Sequence, residues 1–160
     1  MPVSASTPSV VPPRRQRSAV WGLVAAYTAL IGYASLYPFA PWQGTGLPWW
    51  GFITQPLPHY WTGFDVLVNV LGYMPLGFLL TLAALRDRGQ RLPRWGALLG
   101  VAGGVLLSLG LETLQNWLPQ RVPSNVDWLL NSAGGAVGAV LAWRVGKAGA
   151  LGLWANLRAH

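Results

Sequence analysis

The stretch Leu111 to Gly138, LETLQNWLPQRVPSNVDWLLNSAGGAVG, sets two apolar helical segments on either side of a short polar turn. It holds Glu112 and Asp127, two of the chain's 4 carboxylates, each placed where apolar helix meets turn. Pro119 and Pro123 break the helix between them, and the apolar pattern resumes at Val126. A charged side chain at the centre of a membrane helix costs about 2.5–3.5 kcal/mol on insertion scales, so an acid kept beside an apolar span faces a partner or a cavity. The stretch therefore reads as a helical hairpin with a polar site at its closed end.

The composition around this hairpin is that of a membrane protein. Of 160 residues, 52% are hydrophobic and 9% charged, with 10 tryptophans and a mean hydropathy of +0.38. The net charge is +7, but the basic residues fall in short clusters between long apolar runs and form no continuous basic face. That pattern excludes nucleic acid as the expected partner. With no cysteine there is no thiolate chemistry, and His59 and His160 are too few for a His-rich metal site. Neither a metal nor another cofactor is expected.

The fold class that follows is an all-α membrane protein, a four-helix transmembrane bundle. Residues 1–17, rich in Pro and Ser and ending in Arg14, Arg15 and Arg17, read as a disordered cytoplasmic tail. Helices are predicted at about residues 18–39, 65–85, 95–117 and 126–143, making a membrane domain over 18–143. The first run is too long for a signal peptide, whose apolar region is roughly 7–15 residues. Residues 144–160 form a basic cytoplasmic tail in which LGLWANL is a candidate interfacial helix. Pro75 predicts a kink near Met74 in the second span. Between the first two spans, Ala40 to Phe64 carries Trp42, Trp49, Trp50, Phe52, Tyr60 and Trp61 and no Lys or Arg, and reads as an anchor in the headgroup zone. Asp87, in the Arg-rich loop from Arg86 to Arg94, reads as a solvated charge.

Short cytoplasmic loops retain Lys and Arg. The N-tail arginines, Arg86, Arg88, Arg91 and Arg94 of the middle loop, and Arg144, Lys147 and Arg158 of the C-tail all fall on one side, leaving Arg121 alone opposite. Both termini are therefore expected in the cytoplasm. The same topology brings Asp65 and Asn69, Glu112 and Gln115, and Asp127 and Asn131 to one depth, each pair on one helix face. Arg121 lies in the turn as the one cation near three acids. Gly96, Gly100, Gly104, Ser108 and Glu112 recur every four residues, a small-residue stripe that ends at the acid, and Gly134 and Gly138 repeat the spacing. Such rows let helix backbones approach closely in lipid, which predicts that the third and fourth spans pack through them. The plainer reading makes Asp65 and Asp127 helix caps, Asn131 interhelical glue and Glu112 the ion-pair partner of Arg121.

Asp65, Asn69, Pro75 to Gly77, Glu112, Gln115, Arg121, Asp127, Asn131, Gly134 and Gly138, in this order and spacing over about Tyr37 to Trp143, resemble the VanZ-like membrane family. The resemblance implies a small multi-span protein of bacterial envelopes, in a family named after an accessory teicoplanin-resistance protein, and it implies no established reaction. Many family members carry a D-K-x-x-H type pattern where this chain has Asp65-Val66-Leu67-Val68-Asn69, so the resemblance brings no imidazole to position 69.

Three function classes stay open. One is an envelope protein, with membrane lipid as a partner, that binds or shields a lipid-linked cell-wall component or an amphiphilic glycopeptide, Arg121 serving anionic headgroups and Glu112 and Asp127 serving amines or hydroxyls. Another is a membrane-embedded enzyme using Glu112 and Asp127 as acid and base. The third is a small transport or assembly subunit. The first is preferred, because the resemblance supports it and no nucleophile motif, metal set or phosphate loop accompanies the acids. Single cysteines at Ser4, Gly44, Gln90 and Ser124, treated with an impermeant thiol reagent in sealed cells, should be labelled only at 44 and 124; labelling at 90 would overturn the topology.

Overall fold

Five helices and no strands make up the described residues, which are 19–44, 46, 48–58, 60–87 and 93–147 of a computed structural model. They are α1 (Val20–Leu36), α2 (Gly51–Thr54), α3 (Gly63–Asp87), α4 (Pro93–Gln115) and α5 (Asn125–Lys147). The expected N-tail (1–17), middle-loop residues 88–92 and the 151–157 segment lie outside the described residues. Without water, each backbone N–H and C=O must bond within its own segment, which is why the apolar runs become helices.

Two helices, α3 and α4, are long and apolar enough to cross a membrane by length and composition. The first helix is shorter than expected, 17 residues ending at Leu36, because Pro38 disfavours the helical conformation at the residue before it, and Tyr37 turns to ψ 135°. The last is longer, 23 residues running through Lys147 into the expected tail. Helix α3 runs unbroken through Pro75.

Helices α3, α4 and α5 form a mutually packed core, and α1 lies mainly against α3. Ile31 of α1 joins Tyr73, Leu76 and Leu111 in one apolar cluster, and Val20 and Val24 join Ala83 in another. Two polar contacts fix α1 along α3. The Tyr27 hydroxyl donates to the Gly72 carbonyl at 2.9 Å, and the Trp21 indole N–H donates to Asp87 Oδ2 at 2.6 Å. Asp87 is thus the partly buried end of α3, with an indole partner from α1, rather than a solvated loop charge.

The closest contact is between α3 and α5. A β-carbon at Gly134 would collide with the Val70 carbonyl oxygen, one at Gly138 with that of Met74, and one at Gly77 with that of Gly135. The Gly134 and Gly138 row therefore faces α3, where the sequence spacing had suggested α4. The α4 stripe meets both neighbours instead: Gly96 faces Leu85 and Thr81, Gly100 faces Thr81, Gly77 and Ala139, and Gly104 faces the α-carbon of Gly135 at 3.3 Å from its own β-carbon position. Spacing fixes which residues share a face, while the neighbour depends on how three helices close around one seam. Because α5 sits in that seam, its buried face is Asn, Gly and Ala rather than Leu.

Gly138→Ala should destabilise the protein by roughly 1–3 kcal/mol, the usual range for overpacking, since the added methyl meets backbone that cannot rotate away. Gly110, with nothing within 4 Å of its β-carbon position, should accept Ala without loss. Thermal unfolding in detergent checks the pair, and equal melting of the two variants would place Gly138 away from α3.

Candidate functional site

The polar residues of the three core helices meet at the α4–α5 turn. Ser124 immediately precedes α5, and its hydroxyl accepts the Asp127 N–H at 3.2 Å, an N-cap that holds the first turn of the helix. The Ser124 N–H donates to Glu112 Oε2 at 2.9 Å, tying the end of α4 to the start of α5. Glu112 is 4% exposed and closes the buried stripe Gly96, Gly100, Gly104 and Ser108. One helical turn before it, the Ser108 hydroxyl accepts from Asn131 Nδ2 at 3.0 Å. From α3, Asn69 Nδ2 donates to Asp127 Oδ1 at 3.1 Å.

Asn69, Glu112, Asp127 and Asn131 border one cavity of about 350 Å³. Asn69 and Tyr73 come from α3, Glu112 and Gln115 from α4, Asp127 and Asn131 from α5, Arg121 and Gln120 from the turn, and Ala34 and Ser35 from the end of α1. Gln115 reaches the Ser35 carbonyl through Nε2 at 3.2 Å, which seals the α1 side.

Two residues depart from the polar-layer reading, and Asp65 follows the plainer one, as a helix cap. Asp65 does not line the cavity; it is exposed at the start of α3, where it accepts the Thr62 N–H at 2.8 Å while Thr62 Oγ1 accepts the Asp65 N–H at 3.1 Å. That reciprocal pair is a capping box, and it satisfies the helix terminus. Arg121 lies at the cavity but makes no ion pair among the described residues. Its Nε donates to the Tyr37 carbonyl at 2.9 Å and its Nη2 to the Ala34 carbonyl at 2.8 Å. The guanidinium thus caps the C-terminal carbonyls of α1, where the helix dipole is negative. Glu112 is left to the Ser124 backbone N–H and Asp127 to the Asn69 side-chain amide.

Sequence reasoning missed Tyr73 and Ser124, and it read Ser108 only as a small residue of the packing stripe. Tyr73 is 5% exposed and borders the cavity together with Glu112. Its spacing of four from Asn69 was the available signal, obscured because a tyrosine inside an apolar run looks like core. Ser124 is missed for its backbone N–H, which no sequence pattern displays.

The aromatic connection covers this end of the bundle. Phe52 of α2 is fully buried, and Leu118 in the turn is 1% exposed. Three hydrogen bonds fasten the connection to the turn: Asn116 Nδ2 to the Trp49 carbonyl at 3.0 Å, Asn125 Nδ2 to the Gln55 carbonyl at 2.7 Å, and the Gln43 N–H to the Trp117 carbonyl at 2.8 Å. A larger cavity of about 490 Å³ at the other end of the bundle is lined by Trp21, Trp95, Leu98, Leu99, Ala102 and Asp87 among others. It is mostly apolar and gathers no set of polar groups, so its size does not make it the site. Among the described residues no three His, Cys, Asp or Glu side chains stand close enough to hold a metal ion.

The VanZ/LLP1 family model matches residues 8–146, a span that contains every helix except for the last residue of α5, and every residue that lines the cavity. The chain belongs to the VanZ/LLP1 family. No curated protein and no solved structure matches it. Membership makes this VanZ-like chain a membrane protein, in agreement with the two apolar helices of spanning length.

Proposed function

We propose that this VanZ-like protein is a four-span protein of the bacterial inner membrane, with both termini cytoplasmic, that holds the headgroup of a membrane amphiphile in the cavity at its outer face. The observation that carries the reading is the convergence of Asn69, Glu112, Gln115, Arg121, Asp127 and Asn131 on one cavity in which the carboxylates have no cation of their own. A cavity of about 350 Å³ is at the small end of ligand sites, which run roughly 300–1,000 Å³. It suits a headgroup and is too small to enclose a glycopeptide. On this reading a lipid-linked cell-wall component is engaged by its polar end, and lowered susceptibility to an amphiphilic glycopeptide such as teicoplanin follows from shielding it.

A second reading is supported by the different settings of the two acids. Glu112 is buried and bonded by a backbone N–H, while Asp127 is half-buried and bonded by an amide. Such a split can divide acid and base roles. Among the described residues neither acid is hydrogen-bonded to a hydroxyl that it could activate, so binding is the better-supported function.

Lipids retained by the purified protein, identified by mass spectrometry, test the proposal. Wild type should retain one amphiphile class above its share of the host membrane, and the isosteric double variant Glu112→Gln, Asp127→Asn should lose that enrichment at unchanged melting temperature. Identical lipid profiles would remove the cavity from the function. Expressed in a teicoplanin-sensitive Gram-positive host, wild type should lower susceptibility and the double variant should not.

A further inference from the structure

Three acceptor oxygens on the wall of this cavity have no protein donor among the described residues. Glu112 commits Oε2 to the Ser124 N–H and Asp127 commits Oδ1 to Asn69, so Glu112 Oε1 and Asp127 Oδ2 have no protein partner among the described residues. Asn131 lines the same cavity at 5% exposure, and its Oδ1 is buried without a partner while its Nδ2 serves Ser108. Three acceptor oxygens thus await donors, two of them on carboxylates. The cation at the rim, Arg121, has turned Nε and Nη2 to main-chain carbonyls, which leaves Nη1 for a ligand.

We propose that the cavity selects a headgroup bearing a primary ammonium beside a phosphate, the chemistry of an aminophospholipid; this deepens the headgroup-binding reading and rests on it. A primary ammonium offers three N–H donors and one positive charge, which answers three open acceptors and two carboxylates together. A trimethylammonium brings the charge without the donors, and a glycerol headgroup brings donors without the charge. Buried acceptors left unpaired count against both. The phosphate falls to the remaining N–H groups of Arg121, whose planar fork suits phosphate oxygens. The source is a lipid rather than a free phosphate ester because the polar lining is flanked by apolar side chains open to the surroundings. Val68 and Val122 border the cavity at 50% and 81% exposure, and Leu71, next along α3 from Val68, is 46% exposed.

The test uses the full-length protein in detergent and lipids of identical acyl chains, scored by native mass spectrometry. The series runs from phosphatidylethanolamine through its mono-, di- and trimethylated forms, with phosphatidylglycerol beside it. Wild type should bind the primary amine about tenfold more tightly than the trimethylated lipid or phosphatidylglycerol, with stepwise loss along the series. In the Glu112→Gln, Asp127→Asn variant the series should become flat. Because the methylation series needs no variant, the inference stays open to refutation even if that variant fails to fold. Equal binding of all headgroups by wild type, weakened throughout in the variant, would overturn the ammonium selection and leave a headgroup site. Equal binding of every lipid by wild type and a folded variant would overturn the headgroup reading itself. Competition by free phosphoethanolamine as strong as that by the lipid would overturn the lipid source.

Discussion

The carbonyl oxygens of Val70 and Met74 on α3 stand where residues 134 and 138 of α5 would carry their β-carbons. In water, helices are pressed together by the removal of apolar surface, but lipid tails are as apolar as leucine and supply no such force. Association in a bilayer rests on close packing and polar contacts, and here the glycines let one backbone lie on the other. That contact fixes the register of α3 against α5. Asn69, beside Val70, is then held over Asp127, and the next turn of α3 brings Tyr73 to the same cavity.

From this register the polar layer closes without ion pairs among the described residues. Glu112 is tied to the α5 N-terminus by a backbone N–H, Asn131 to α4 by a serine hydroxyl, and Gln115 and Arg121 to the end of α1 by main-chain carbonyls. Each bond joins two elements, so the cavity wall is held from four sides while the acids stay uncompensated by charge. The aromatic connection is fastened over the turn by the side chains of Asn116 and Asn125, and its Phe52 is fully buried. That arrangement is what supports the proposal of a ligand that brings its own positive charge.

Much of this was legible in the sequence. Apolar runs without strand alternation gave helices, and spacing of four put Gly96, Gly100, Gly104, Ser108 and Glu112 on one face, which is the buried one. What periodicity lacks is the identity of the neighbour. The Gly134 and Gly138 row could serve α3 or α4 equally well on spacing, and the choice belongs to the three-helix seam. Arg121 was read against nearby acids because they are close in sequence, whereas its partners at Ala34 and Tyr37 lie more than eighty residues away and are backbone atoms. Asp65 shows the reverse case, since its capping partner Thr62 was only three residues off and local chemistry sufficed.

The α3–α5 backbone contact is open to direct measurement, because the chain has only 2 methionines, Met1 and Met74. With carbonyl-labelled methionine and α-carbon-labelled glycine in lipid bilayers, carbon–carbon solid-state NMR should show a cross-peak between the Met74 carbonyl and the Gly138 α-carbon, alongside the intrahelical peak to Gly77. Appearance of the Gly77 peak without the Gly138 peak would contradict the account.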